Sequence, residues 1–355
     1  MKNCLIIVVI IISIFIAFCT EYKTAGMQQE QKINEELKKI SALLQDSSFA
    51  LEIAKKSDAA YYISQGQTVQ EFLPADADTL TEKSFKEEKI ATYIAALYAL
   101  ECGISLLREQ KGGSTADWLN KIINHQLDST EQLVLSSFAN ATWKAGQPFR
   151  SLKRITRDNF ISSVFLPADE IKKDHDQILA AAQKLLPALS NVKDSSDESQ
   201  LQRLDQLLKD KSFALELATH IEAAYYTGLQ QTIPPFLKTG EDSSTIDKSV
   251  NEEKIATNLA GFYALECGIS YLATAEKKLP SDILKSIIND SISNDHKKIF
   301  ERFANATWKA GQPFRSLDRI ERPVFTPFDL LTKEEMEKDW VQIKMAAEMV
   351  MGKIK

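Results

Sequence analysis

FANATWKAGQPFRSL occupies Phe138–Leu152 and recurs without a single change at Phe303–Leu317. Two 15-residue segments do not agree by accident, and agreement extends outward from them. Tyr98–Ser105 matches Tyr263–Ser270, and Glu87–Thr92 matches Glu252–Thr257, both at offset 165. Further towards the N-terminus, Ser48–Glu52 matches Ser212–Glu216 and Ala59–Tyr62 matches Ala223–Tyr226, at offset 164. One residue has therefore been gained between these blocks. A period this long exceeds the 20 to 50 residues of solenoid repeats, so each copy is expected to be a whole domain with its own core. The expected fold is all-α, a tandem duplication of a helical-bundle domain over 33–188 and 201–352. A Ser/Asp-rich linker at 189–200, which includes SNVKDSSDESQ, joins the two copies.

Within one copy the apolar spacing predicts about four main helices after a short leading one. Leu37, Ile40, Leu43 and Leu44, with Leu201, Leu204, Leu207 and Leu208, put an apolar stripe on the leading helix. A second helix carries SFALE and the paired tyrosines. The S-x-x-E pattern at Ser84–Glu87 and Ser249–Glu252 predicts the start of a third helix, apolar on most faces and hence central. Gly112-Gly113 should end it in the first copy. A fourth helix is expected over about 115–144 and 281–309, ended by Gly146 and Gly311 with Pro148 and Pro313 beyond. A last helix is expected over about 167–186 and 333–350. No segment alternates with period two, so no sheet is expected.

Composition fits this. The 355 residues are 44% hydrophobic and 26% charged, which excludes low-complexity and largely disordered chains. A net charge of −6 leaves no positive excess for nucleic acid. Four cysteines are too few for a disulfide framework.

The N-terminus carries an address. Lys2 precedes an apolar run from Leu5 to Phe18, interrupted only by Ser13, too short to span a bilayer as a helix. Residues 1–18 read as a signal peptide and 19–32 as a polar tether. Cys19 after Ile16-Ala17-Phe18 resembles the lipobox of bacterial lipoproteins, although Phe18 stands where that pattern has a small residue. The resemblance implies lipidation of Cys19, with the membrane as partner through that lipid, and a place in the bacterial cell envelope. Ordinary cleavage or an uncleaved anchor is the alternative.

Two features could carry chemistry. The first is the repeated block Asn140, Trp143, Lys144, Gln147 and Arg150 with its copy Asn305, Trp308, Lys309, Gln312 and Arg315, held identical while its flanks diverged. An aromatic face, an amide and two cations suit a small anionic ligand, or a partner protein. The same residues could instead simply close the base of a bundle. The second is Glu101 and Glu266, which fall on the apolar stripe of the central helix. A carboxylate there needs a cation, and Arg150 and Arg315 are the nearest candidates by pattern. Asp174 and Asp339 read as a solvated helix face, and Cys102 and Cys267 as small buried thiols.

No Glu-x-x-His pair recurs and no nucleotide fingerprint appears, so neither a metal nor a cofactor is expected. These observations point to a non-catalytic binding or scaffold module with two pseudo-equivalent sites. The alternative is a hydrolase-like enzyme using Glu101 and Glu266 near Arg150 and Arg315.

Overall fold

The computed structural model describes residues 26–69, 82–147, 159–190, 196–228, 230–232, 246–312 and 325–354. Among them the chain is all-α. The first repeat supplies α1 (26–45), α2 (Ser47–Ser64), α3 (Glu82–Lys111), α4 (Thr115–Ile123), α5 (Ser129–Ala145) and α6 (Ala168–Ser190). The second supplies α7 (Asp197–Lys209), α8 (Lys211–Gly228), α9 (Ile246–Glu276), α10 (Pro280–Ile288), α11 (Asn294–Ala310) and α12 (Lys333–Ile354). Short 3-10 turns at Ser163–Phe165 and Phe328–Leu330 precede α6 and α12.

Several expected boundaries move. The single fourth helix is two helices in each repeat, because His125 and Asp290 take a left-handed backbone, φ 54° and 51°. Asp128 then restarts the first repeat's helix. Its carboxylate accepts from the Thr130 and Glu131 amides while Glu131 accepts from the Asp128 amide, a capping box that satisfies donors at the new terminus. In the second repeat Ser293 caps α11 through the His296 amide. The tether is shorter than expected, since 26–32 already belong to α1, where Gln, Glu and Lys favour helix. Ser84 and Ser249 lie inside α3 and α9, which begin at Glu82 and Ile246. Gly112 and Gly113 end α3 with φ 75° and 86°, as expected. Gly146 and Gly311 end α5 and α11 with φ −76° and −78°, so any residue could take their backbone. Of the linker, 191–195 lie outside the described residues, and Ser196 caps α7.

The larger correction concerns the cores. The two repeats do not close on separate interiors, because one continuous apolar cluster runs from Ile33 to Ile354. Helices α3, α5, α9 and α11 pack together at its centre, with α5 touching α9 and α3 touching α11. The Phe138 and Phe303 rings, from equivalent positions, stack at 4.0 Å with planes 12° apart. The leading helices cross over. Helix α2 packs on α9 and α12, whereas α8 packs on α3 and α6. The N-terminus of α10 donates the Ser281 amide to Glu36 of α1 at 2.8 Å, and the equivalent N-terminus of α4 donates the Ala116 amide to Gln200 of α7 at 3.1 Å. Each repeat thus lends its first two helices to the other, the arrangement of a domain swap enclosed in one chain. The driving force lies in α3 and α9. Tyr93–Leu100 are buried without interruption, and a helix apolar all round needs cover on every side. Gly103 and Gly268 permit the tight crossings, since a Cβ at Gly268 would stand 2.5 Å from the Phe300 ring.

Candidate functional site

Glu101 sits on α3 among apolar neighbours, and its partner is Lys309 on α11 of the other repeat, at 2.7 Å. Glu266 on α9 pairs in the same way with Lys144 on α5. Both lysines and Glu266 are 0% exposed and Glu101 is 4% exposed. The expected partners Arg150 and Arg315 lie outside the described residues, and the lysines supply the cations. Burial works to lower the Lys144 ammonium's pKa, but the Glu266 carboxylate outweighs it and leaves it raised. Burial likewise opposes, and Glu101 restores, the charge on Lys309.

The remaining lone pairs are satisfied differently in the two halves. Glu101 Oε1 accepts the Phe328 amide at 2.7 Å, whereas Glu266 Oε1 accepts the Ser270 hydroxyl at 2.8 Å, which in turn meets Ser162 at 2.5 Å. Ser105, the counterpart of Ser270, turns to Asp329 at 2.5 Å and receives Arg302 Nε at 2.9 Å. Each cysteine bridges the repeats: Cys102 Sγ donates to Glu101 Oε2 at 3.0 Å and lies 3.6 Å from Asn305 Oδ1, and Cys267 Sγ stands similarly to Glu266 and Asn140. Both thiols are free, and burial raises their pKa well above the ordinary value, which keeps them protonated.

The repeated block thus faces inward. Asn140, Lys144 and Gln147 are buried with Asn305, Lys309 and Gln312, while Trp143 and Trp308 are half-buried against Phe160 and Phe325 at 5.5 and 5.8 Å. Gln147 and Gln312 each donate to a threonine on the central helix of their own repeat, Thr92 and Thr257, at 2.5 Å. Asp174 and Asp339 are half-buried, so the solvated-face expectation holds only in part. Burial first, then the carboxylates of Glu170 and Glu301 respectively, raise both to about 7, and Lys144 and Lys309 only partly offset this. Their pattern in the sequence is that of a surface helix, because α6 and α12 are polar on the rest of that turn.

A cleft of about 360 Å³ opens elsewhere, between α4, α5 and α6. Ile122, Leu135, Ile171 and Ile178 form its apolar floor, and His125, Gln132 and His175 are polar groups along it. Burial lowers the His175 pKa, against the Asp176 carboxylate, so the ring is neutral at neutral pH. Sequence reading missed this cleft, whose signal was that neither His125 nor His175 is matched by a histidine in the second repeat. Among the described residues no cluster of three or more His, Cys, Asp or Glu could hold a metal, and no helix is long and apolar enough to cross a membrane. Cys19 and the signal segment lie outside the described residues. Comparison with protein-family models, curated proteins and solved structures found no match.

Proposed function

We propose that this chain is a secreted, lipid-anchored bacterial envelope protein that acts by binding a small molecule, and that its repeated block is the lock between repeats rather than the binding surface. The observation that carries this reading is the contrast between two places. The carboxylates that a hydrolase would need are enclosed on lysine partners, while the α4–α5–α6 cleft is open and falls in the size range of small-molecule sites. The two corners first expected to bind a ligand give way to one cleft in the first repeat. Cys19 would tether the body to the membrane.

A thermal-shift screen of residues 20–355 against a small-molecule library tests the binding role, since a ligand of the folded state raises Tm. Hits are expected to lose their effect in the His175→Trp variant, which fills the cleft. Hits that all survive that change would place binding elsewhere and end the proposal for the cleft. Labelled fatty acid should enter the wild-type chain in bacteria and be absent from Cys19→Ser. Equal labelling of both would remove the anchor.

A further inference from the structure

Around the cleft the two repeats share an apolar frame and differ at most of the other lining positions. Ile122, Leu127, Ile171 and Ile178 correspond to Ile287, Ile292, Met336 and Ile343, an apolar frame in both halves. Leu135 corresponds to Phe300, His175 to Trp340 and Gln132 to Lys297. In the second repeat the Trp340 indole packs edge-on against Phe300 with centroids 6.5 Å apart, and Lys297 Nζ lies 5.1 Å from the centre of the Trp340 ring. Asp290 and Lys344, at the places of His125 and Leu179, form an ion pair at 2.5 Å beside it. The first repeat keeps the frame and lacks the ring.

We infer that the α4–α5–α6 cleft of the first repeat binds a free planar aromatic molecule of indole size, which occupies the place that Trp340 occupies in the second repeat. This rests on the cleft being the binding site and adds the class of ligand. Trp340 shows which shape the shared frame accepts: a flat bicyclic ring set edge-on to Phe300 and packed against the apolar core. The first repeat replaces the phenyl of Phe300 with the smaller Leu135 and the indole with His175, so that a ring can enter from solvent. Gln132 and His125 are exposed at this cleft and can hydrogen-bond a ring N–H or a polar substituent. The lining holds both Lys172 and Asp176, joined at 2.5 Å, so no net charge selects an anion. Shape and apolar contact select the ligand, and one site per chain is expected.

Indole itself is the probe. The chain has four histidines, so ring-proton NMR of the wild-type protein offers a direct readout without any substitution. Titration with indole to millimolar concentration should shift the His125 and His175 resonances in a saturable way and leave His220 and His296 unmoved. Leu135→Phe, which copies a pairing the second repeat already accommodates against its own glycine, should abolish the response at both His125 and His175, and His175→Trp should abolish the remaining response at His125. Unmoved His125 and His175 signals at millimolar indole, or an equal response in a folded Leu135→Phe protein, would overturn the aromatic assignment. If the library screen still finds ligands that His175→Trp abolishes, the cleft stands and only the ligand class falls. If neither indole nor any library compound depends on His175, both fall together.

Discussion

Lys144 and Lys309 show how one side chain decides a large part of this molecule. Each is a buried ammonium closed on a carboxylate of the other repeat, and each pair is surrounded by groups that satisfy the remaining lone pairs. Lys144→Met leaves Glu266 charged and unpaired in the interior and should cost about 3–5 kcal/mol in chemical denaturation. Lys144→Met combined with Glu266→Leu should recover most of that loss, because a well-packed apolar pair replaces a desolvated ionic one. A double variant no better than the single would show that the charge is not what stabilises the contact. The two aspartates act in the opposite sense. Their folded pKa of about 7 lies above the unfolded value, so the native state holds protons that the unfolded chain has released between about pH 4 and 7. Their contribution to stability is full at the acid end of that window and lost as pH rises through about 7. Asp174→Asn with Asp339→Asn should therefore raise Tm relative to wild type at pH 7.5 and much less at pH 5. His175, adjacent to Asp174, titrates with the opposite sign, so the comparison is made in a His175→Gln background.

Among the helices, the crossing of α9 and α11 depends on the absence of a side chain at Gly268. Alanine is the better helix former by about 1 kcal/mol, but its Cβ would meet two Phe300 ring atoms at 2.5 Å. Overpacking of this kind costs about 1–3 kcal/mol, so Gly268→Ala should lower stability in a denaturant titration despite its propensity. Gly352, near the end of α12, has nothing within 4 Å of an added Cβ, and Gly352→Ala should be neutral or stabilising in the same assay. If both changes stabilise, propensity outweighs packing and the crossing is looser than described. Helix boundaries were partly legible beforehand. The breaks after α4 and α10 were not, because the apolar pattern runs through them and only the caps, Asp128 with Glu131 and Ser293, signal the restarts.

As a whole the molecule behaves as one unit. A chain with two independent bundles would unfold in two steps, one for each core. Here α2 lies on α9 and α12, α8 lies on α3 and α6, and both ion pairs span the repeats, so neither half keeps its interior if the other opens. Calorimetry of residues 20–355 should give one transition, with the calorimetric and van't Hoff enthalpies equal. Two resolved transitions would contradict the shared core.

The all-α class, the repeat and the presence of a carboxylate on the apolar stripe of α3 are local properties of the chain, written in the spacing of Ile94, Leu97, Glu101 and Ile104, and were readable from it. Which cation meets that carboxylate was not readable. Lys144 and Lys309 are the same residue in the same context, so a repeated sequence assigns Glu101 to either with equal right, and local pattern cannot distinguish a contact within a repeat from one between repeats. Packing removes that degeneracy, because burying α3 and α9 on all sides requires helices from both halves. The same packing turned Lys144 and Asn140 inward, raised Asp174 and Asp339, and left the cleft open where His175 replaces a tryptophan.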